Sequence, residues 1–401
     1  MQSRAEKWNS AILDLLREAA RCQPDQLPAL VNAVTEQLAK TMTIFLVDFE
    51  QHTLRELTTP VGGGEEYPVQ GSLAGLAYQR GEVQAQPGDR HTLWIPLIDS
   101  TERLGVVRVV ADDPFPPASR VSEQPDVEFV NLLGHLITGK SAYGDRLHLA
   151  RSTQPMTVAS VLLRQLLPPS TFVSDRVSIS ASLQPAYAVG GDAYDYAIDA
   201  DTMNVAIFDA VGHGMPAGLS VAVALSATRA ARRNGEDIAG MAEAADTHLN
   251  ENLGEGDFVT AALIRLDLET GVLLYLSAGH PAPVVVQANG GIVTLAEGRR
   301  TPLALRPATV VPPGEHRLQP GDRVLLYTDG VIENRRSDGD FYTTDRLLDL
   351  ARRLVMAKES TAEVARKINQ MVVDFHQGPP EDDSTVVVLE WSTAAAGRVL
   401  A

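Results

Sequence analysis

The spacing of apolar residues predicts that the first quarter of the chain mixes helices and strands. Apolar residues recur every three or four positions in some segments, which is typical of amphipathic helices, and run together in others, which is typical of strands. The predicted elements are helices at 8–19, 27–38 and 72–81 and strands at 43–49, 92–98 and 104–110. Their order predicts a small α/β domain with an antiparallel sheet.

Helical spacing returns after a loop rich in aspartate, proline and serine over 111–125. One helix is predicted over 126–150, and Pro155 either interrupts it or starts a second, strongly apolar helix over 156–167. We interpret 126–168 as a helical connector that packs against a partner, most simply the same helix of a second chain. The alternative is an ordinary helix buried on the domain that follows it.

The second half of the chain has the pattern of a large sheet protein. Strands are predicted at 177–183, 194–198, 204–208, 258–267, 272–278, 283–287, 323–328 and 385–391, and helices at 216–233, at 240–252 and after Ser360. Many strands with a few long helices favour two packed sheets flanked by pairs of helices. No period of 20–50 residues recurs, so a repeat architecture is not expected.

Composition limits the possible classes of partner. The 401-residue chain has a net charge of −17, which disfavours nucleic acid and anionic membranes as partners, because phosphate groups attract lysine and arginine. Cys22 is the only cysteine, so an intrachain disulfide is impossible. The first residues lack the apolar core of a signal peptide, and no run is long enough to span a membrane. We therefore expect a cytoplasmic protein.

Four aspartates lie at the ends of predicted strands in the second half. They are Asp192 in Gly-Gly-Asp, Asp209 in Asp-Ala-Val-Gly-His-Gly, Asp329 in Thr-Asp-Gly and Asp382 in Asp-Asp-Ser-Thr. Each one alone is explained as a turn residue, because Gly-Asp and Asp-Gly are common in turns. All four together at strand ends favour a carboxylate cage for hard divalent cations, which prefer oxygen ligands.

Two such ions a few ångströms apart can activate a water and hold a phosphoryl group for attack, without a protein nucleophile. The sequence contains no G-x-S-x-G nucleophile motif and no G-x-x-x-x-G-K-[ST] phosphate loop. The chemistry expected from the residues is therefore metal-assisted hydrolysis of a phosphate ester.

The same motifs resemble a known family. Taken in order, the motifs around Asp192, Asp209, His280, Asp329 and Asp382 are similar to those of the sporulation stage-II-E-type branch of the metal-dependent (PPM, type 2C-like) protein phosphatases. The resemblance covers about 160–391. It implies an αββα sandwich and a dinuclear centre of two Mn²⁺ or Mg²⁺ ions.

The resemblance also implies a role for each residue. Asp209 would bridge both ions with help from the backbone carbonyl of Ala210. Asp329 and Asp382 would hold one ion, and Asp192 would hold the other. Asp383 is the second choice to Asp382, because neighbouring residues at a strand start point in opposite directions. We expect Asp195 to be a surface or turn residue.

Two histidines complete the set of candidate site residues. His213 and His280 lie in the family motifs and are candidates to contact phosphate or to protonate the leaving oxygen. The alternative for both is a hydrogen bond that holds a loop, and we consider it the better supported of the two.

The first domain resembles a GAF domain. The resemblance rests on Gly71–Ala77, on Leu93–Leu97 and on Leu104–Val106, and it implies a pocket for a small molecule or a site for a protein signal. A PAS-like or purely structural dimerisation domain is the alternative. We expect a sensor at 1–125, the connector at 126–168, the phosphatase domain at 169–393 and a tail at 394–401.

The full hypothesis is a sensor-regulated phosphoserine/phosphothreonine protein phosphatase of bacterial signalling, active as a homodimer. The family's usual substrate, a phosphorylated anti-sigma-factor antagonist of the STAS class, is the expected partner in a stress-response or related pathway. One alternative is a phosphoesterase for small metabolites or nucleotides. The other is a catalytically weak, metal-binding signalling scaffold.

Overall fold

The structure is a computed structural model of the chain, and it divides into two compact units. It describes residues 3–58, 63–89, 91–115, 125–184, 187–188, 190–252, 254, 257–305, 310–333, 343–376 and 382–392. Unit 1 ends at Pro155 and unit 2 begins at Met156. Residues 116–124 of the predicted loop and the predicted tail lie outside the described residues.

Unit 1 is built on a six-stranded antiparallel sheet in the order β3-β2-β1-β6-β5-β4. Its strands are β1 (Lys40–Val47), β2 (Thr53–Glu56), β3 (Glu66–Pro68), β4 (Gln84–Ala85), β5 (Thr92–Asp99) and β6 (Glu102–Ala111). Its helices are α1 (Arg4–Ala19), α2 (Leu27–Thr35), α3 (Leu73–Arg80), α4 (Pro125–Ser141) and α5 (Arg146–Arg151).

Both faces of this sheet are buried, and β1 shows why. Successive side chains of a strand point to opposite faces. Met42, Ile44 and Leu46 therefore pack with α1, α2 and α4, whereas Phe45 and Val47 pack on the other face beside α3. The α/β architecture with an antiparallel sheet is confirmed, and it is consistent with a sensor domain; its assignment to the GAF family stays a prediction.

Unit 2 contains twelve strands and five helices within its described residues. Its strands are β7 (Thr171–Val173), β8 (Val177–Gln184), β9 (Asp192–Asp199), β10 (Thr202–Ala210), β11 (Val259–Asp267), β12 (Val272–Ala278), β13 (Val284–Val286), β14 (Ile292–Thr294), β15 (Arg299–Arg300), β16 (Gly314–Arg317), β17 (Arg323–Tyr327) and β18 (Ser384–Trp391). Its helices are α6 (Val158–Leu166), α7 (Gly214–Arg233), α8 (Ile238–Asn252), α9 (Thr344–Met356) and α10 (Thr361–His376).

Unit 2 is a four-layer sandwich of helices, two sheets and helices. One sheet has the order β15-β12-β11-β10-β9 with β16 beside β12, and the other has the order β14-β13-β17-β18-β8-β7. One core lies between the sheets, a second lies between β9–β12 and α7 and α8, and a third lies under α9 and α10. The predicted αββα fold is confirmed.

The helices of the predicted connector pack into different units. In α4, Phe129, Val130 and Leu133 are buried in the core of unit 1, whereas Leu163 of α6 is buried in unit 2 beside α7. The single helix predicted over 126–150 is wrong in detail, because α4 ends at Ser141 and α5 is separate. The described residues contain no helix long and apolar enough to cross a bilayer.

Several elements of unit 2 were not predicted. Helix α9 is amphipathic, with Leu347, Leu350 and Val355 buried, yet its charged residues obscure the apolar stripe in the sequence. Strands β14, β15 and β16 have two to four residues each, which is too short for periodicity to reveal.

Candidate metal centre

The alternation of side chains along β9 and β10 turns Asp192 and Asp209 toward the space between the two sheets. Asp192 and Asp209 are opposite each other in the antiparallel pair of β9 with β10. Tyr194, Val205 and Ile207, which share their faces, lie in the core between the sheets. The second sheet brings the remaining carboxylates to this end, because Asp329 follows β17 with only Thr328 between them and Asp383 directly precedes β18.

Asp192 is fixed by two threonines from the opposite sheet. The hydroxyls of Thr328 and Thr385 donate to Oδ2 of Asp192 at 2.8 and 2.7 Å. The Thr328 hydroxyl also accepts the backbone N–H of Thr385 at 2.9 Å. All three residues are buried, so these bonds form in a medium where an unpaired polar group is costly. One carboxylate oxygen of Asp192 is thus committed to holding the sheets together.

Asp383 has a similar role for the loop before β9. Its Oδ2 accepts the backbone N–H groups of Gly190 and Gly191 at 2.9 and 2.8 Å. The adjacent Asp382 is exposed, and its Oδ1 accepts the N–H of Asp383. The two neighbours therefore differ in function, as their opposite directions predict, with Asp383 bound to the glycine loop.

Two glycines allow the loops to approach this closely. A Cβ on Gly190 would lie 2.4 Å from the backbone nitrogen of Gly214, and one on Gly330 would lie 2.0 Å from the carbonyl oxygen of Asp383. Neither distance is possible for a side chain. Glycine is therefore required at both positions for the carboxylates to meet.

The pKa values of the five carboxyl groups of this cluster are all raised above the usual value. Burial is the largest cause in every case, and it is reinforced by neighbouring carboxylates. Burial and the charges of Asp329, Asp382 and Asp383 raise the pKa of Asp209 to about 8. A side-chain hydrogen bond between Asp209 and Asp329 further raises the pKa of Asp209 and acts to lower that of Asp329.

The site is a region of concentrated negative charge. Among the described residues, no three acidic, histidine or cysteine side chains are already grouped as a metal-ion site. The donor chemistry nevertheless fits a hard divalent cation, because the cluster is made of carboxylate oxygens and a cation would relieve their repulsion. Asp192, Asp209, Asp329 and Asp382 are close enough to influence one another's ionisation, and their assignment as ligands stays a prediction.

The two histidines occupy different environments. His280 is 1% exposed, and its Nδ1 is 2.8 Å from the hydroxyl of Thr260, the cross-strand neighbour of Asp209. Burial lowers the pKa of His280 to about 3, so its ring is neutral. His213 is exposed directly before α7, and it lies near enough to Asp382 to offset part of the rise that burial causes in the pKa of that carboxyl.

The expectation that Asp195 is a surface or turn residue is wrong. Asp195 is 2% exposed in the middle of β9 and points toward α7, on the face opposite to Asp192. Its carboxylate accepts hydrogen bonds from Arg229 and Arg232 of α7. The arginines lie more than thirty residues further along the chain, so no local pattern reveals this ion pair.

Thr328 and Thr385 are site residues that the sequence motifs alone did not reveal. Both stand next to or near predicted ligands in the motifs Thr-Asp-Gly and Asp-Asp-Ser-Thr. Thr328 directly precedes Asp329, and Thr385 lies in β18 two residues after Asp383. Their nearness to predicted ligands was the available signal, because a buried hydroxyl needs a hydrogen-bond partner.

A family model and several known proteins match this part of the chain. The model of stage II sporulation protein E (SpoIIE) matches residues 199–392. The phosphoserine phosphatase RsbU of Bacillus subtilis (strain 168) is 23% identical over 232 residues, which are 58% of this chain and 68% of that protein.

Two solved structures are also similar. The RsbU and RsbW domains of Rv1364c from Mycobacterium tuberculosis align with a TM-score of 0.48 and 25% identity, over 54% of this chain and 62% of that one. The SiaA-PP2C domain of Pseudomonas aeruginosa aligns with a TM-score of 0.49 and 23% identity, over 58% of this chain and 94% of that one.

The interlock between Thr328 and Asp192 gives a first testable prediction. Replacing Thr328→Val removes the donor to Asp192 and leaves the buried N–H of Thr385 without its acceptor. We expect the free energy of unfolding to fall by about 1–3 kcal/mol in chemical denaturation. The matched control is Thr228→Val, whose hydroxyl bonds only to carbonyls of its own helix and whose loss we expect to be smaller. An equal loss in both variants would contradict the interlock.

Proposed function

We propose that the C-terminal unit, whose residues 199–392 match the SpoIIE family model, is a metal-dependent protein phosphatase of that family and hydrolyses phosphoserine or phosphothreonine in a signalling protein of the cytoplasm. The observation that carries the proposal is the meeting of Asp192, Asp209, Asp329, Asp382 and Asp383 at one end of the sandwich. Carboxylates at such density suit the binding of divalent cations.

The ligands that we propose for two Mn²⁺ or Mg²⁺ ions are Asp192, Asp209, Asp329 and Asp382, with the backbone carbonyl of Ala210. When bound, such ions lower the pKa of water and polarise a phosphoryl group. Asp383 remains the second choice to Asp382, because neighbouring residues at a strand start point in opposite directions and Asp383 points to the backbone N–H groups of Gly190 and Gly191.

The chain's own residues prepare this site by fixing the direction of each carboxylate. Thr328 and Thr385 occupy Oδ2 of Asp192, which leaves its other oxygen to face the cluster. His280 is hydrogen-bonded to Thr260, the cross-strand neighbour of Asp209, and so helps to hold β11 beside Asp209. Carboxylates held in place beforehand lose little freedom when a cation binds, and this favours tight binding.

We assign different roles to the two histidines. His280 is buried and neutral, which suits a hydrogen bond that holds the strand beside Asp209. His213 is exposed beside Asp382, and this exposure is what a contact with the substrate phosphate or the leaving oxygen requires.

The surface around His213 favours a protein as the substrate. Val211 and Met215 flank the histidine in sequence, and Leu219 lies one turn further along α7; all three are exposed. Exposed apolar side chains beside a site are typical of protein interaction surfaces. The net charge of −17 disfavours nucleotides, which are strongly anionic. We propose a phosphorylated STAS-type anti-sigma-factor antagonist as the partner.

Activity measurements test this function. We expect the protein with Mn²⁺ to dephosphorylate a phosphorylated STAS-type protein, and excess chelator to abolish the reaction. Asp329→Asn should lower kcat at least about a hundredfold, because loss of a metal-coordinating carboxylate weakens the whole centre. Asp349→Asn, which removes an exposed carboxylate paired with Arg352, is the control and should keep full activity.

The same measurements decide between the alternatives. Faster hydrolysis of nucleotides or small phosphate esters than of the phosphoprotein would favour a metabolite phosphoesterase. Binding of metal without turnover of any phosphate ester would favour a catalytically weak scaffold. Full activity of Asp329→Asn would contradict the two-metal mechanism itself.

We further propose that unit 1 regulates the phosphatase through a homodimer that pairs along α6. The apolar face of α4 is buried within unit 1, so helix α4 has little exposed apolar surface with which to bind a partner. In α6, Leu163 is buried, whereas Val158 and Val161 are 71% and 41% exposed. An exposed apolar stripe of this kind suits a second copy of the helix.

Charged substitutions in α6 test the dimer and its link to regulation. The double variant Val158→Glu and Val161→Glu should be monomeric by light scattering at micromolar concentration, because four like charges would meet in the interface. We expect its phosphatase rate to differ from that of the unchanged protein. Val310→Glu, at a valine outside α6 that is 81% exposed, is the control. A monomeric unchanged protein, or a dimeric double variant, contradicts the proposal.

A further inference from the structure

Strand β9 carries a second buried carboxylate, Asp195, whose role is not explained by the metal centre. Arg229 donates to its Oδ1 through Nε at 3.0 Å and through a terminal nitrogen at 2.6 Å. Arg232 donates to its Oδ2 at 2.8 Å. Because both oxygens are engaged by α7, the strand cannot move relative to this helix without breaking a buried ion pair.

Arg229 differs from Arg232 in one respect. Its terminal nitrogen also donates to the backbone carbonyl of Leu166, the last residue of α6, at 2.7 Å. Carbonyl groups at the end of a helix lack partners within the helix, so a cationic donor is favourable there. Arg229 thereby joins three elements at one point, namely β9, α7 and the end of α6.

Two tyrosines of β9 contact the segment that follows α6. The hydroxyl of Tyr194 donates to the carbonyl of Pro168 at 3.1 Å, and the hydroxyl of Tyr196 donates to that of Pro169 at 2.9 Å. Together with Arg229 they tie β9 to 166–169 at three points. The tyrosines lie toward the other sheet, and Asp195 lies toward α7, so the strand is held on both faces.

The held strand begins with Asp192. Asp192 and Asp195 are three positions apart in one strand, so any displacement of the strand along its axis moves both side chains. The first end of α6 is also near this point, because Ala159 and the carbonyl of Gly190 both approach Gly218 of α7. The placement of Asp192 thus depends on how β9 is packed against α6 and α7.

We propose that Arg229 is a positioning residue for the metal centre, which acts by tying Asp195 and the end of α6 together and so fixing Asp192. The proposal rests on the metal site of the proposed function, and it does not depend on the identity of the phosphorylated substrate. Arg229 touches neither the carboxylate cluster nor the substrate, and its effect is transmitted along β9.

A comparison of Arg229→Gln with Arg232→Gln isolates this role. Each variant removes one arginine from Asp195, but only Arg229→Gln also removes the donor to Leu166. The dissociation constant for Mn²⁺ is measured by calorimetry on the full chain, and the melting temperature is measured without metal. Arg229→Lys, which keeps the charge but not the forked geometry, is the conservative variant.

We expect Arg229→Gln to raise the Mn²⁺ dissociation constant about tenfold or more, Arg232→Gln to raise it less, and Arg229→Lys to restore part of the affinity. A purely structural role predicts lower melting temperatures for both glutamine variants and unchanged Mn²⁺ affinity, and this result would overturn the proposal. So would equal Mn²⁺ affinities for the two glutamine variants, or an unchanged protein that binds no Mn²⁺. If Mn²⁺ binds as expected but no phosphoprotein is hydrolysed, the proposed function fails and the positioning role stands.

Discussion

The hydrogen bonds from Thr328 and Thr385 to Asp192 are the contact on which the carboxylate cluster depends. They join the two sheets of unit 2 at the end where β9, β17 and β18 meet. Without them, a buried carboxylate between the sheets would lack compensation for its lost hydration. With them, Asp192 becomes part of the core and has a fixed direction.

This contact is compatible with the fold only because glycine occupies the two loop positions where backbone segments approach each other most closely. Gly190 and Gly330 let backbone approach backbone, and the amides of Gly190 and Gly191 bind Asp383. The same close packing brings like charges together, as the raised pKa of Asp209 indicates. The fold therefore holds in place a cluster whose carboxylates repel one another, and a bound divalent cation would offset that repulsion.

The sequence predicted the parts of the structure that follow from local patterns. Alternation along β10 and helical spacing in α7 identified both elements, and the motifs around Asp192, Asp209 and Asp329 identified the cluster. The burial of Asp195 was not predictable, because its partners Arg229 and Arg232 reach it only through the packing of α7 on the sheet. The split of the predicted connector between two units has the same origin, since periodicity shows an apolar face but not what covers it.

The central claim is that carboxylates from both sheets bind two cations at this end of the sandwich. Diffraction recorded at the manganese absorption edge, from crystals grown with Mn²⁺, tests it most directly. The account predicts two anomalous peaks among Asp192, Asp209, Asp329 and Asp382, with Oδ2 of Asp192 still bonded to Thr328 and Thr385. Peaks located elsewhere, or none at this cluster, would contradict it.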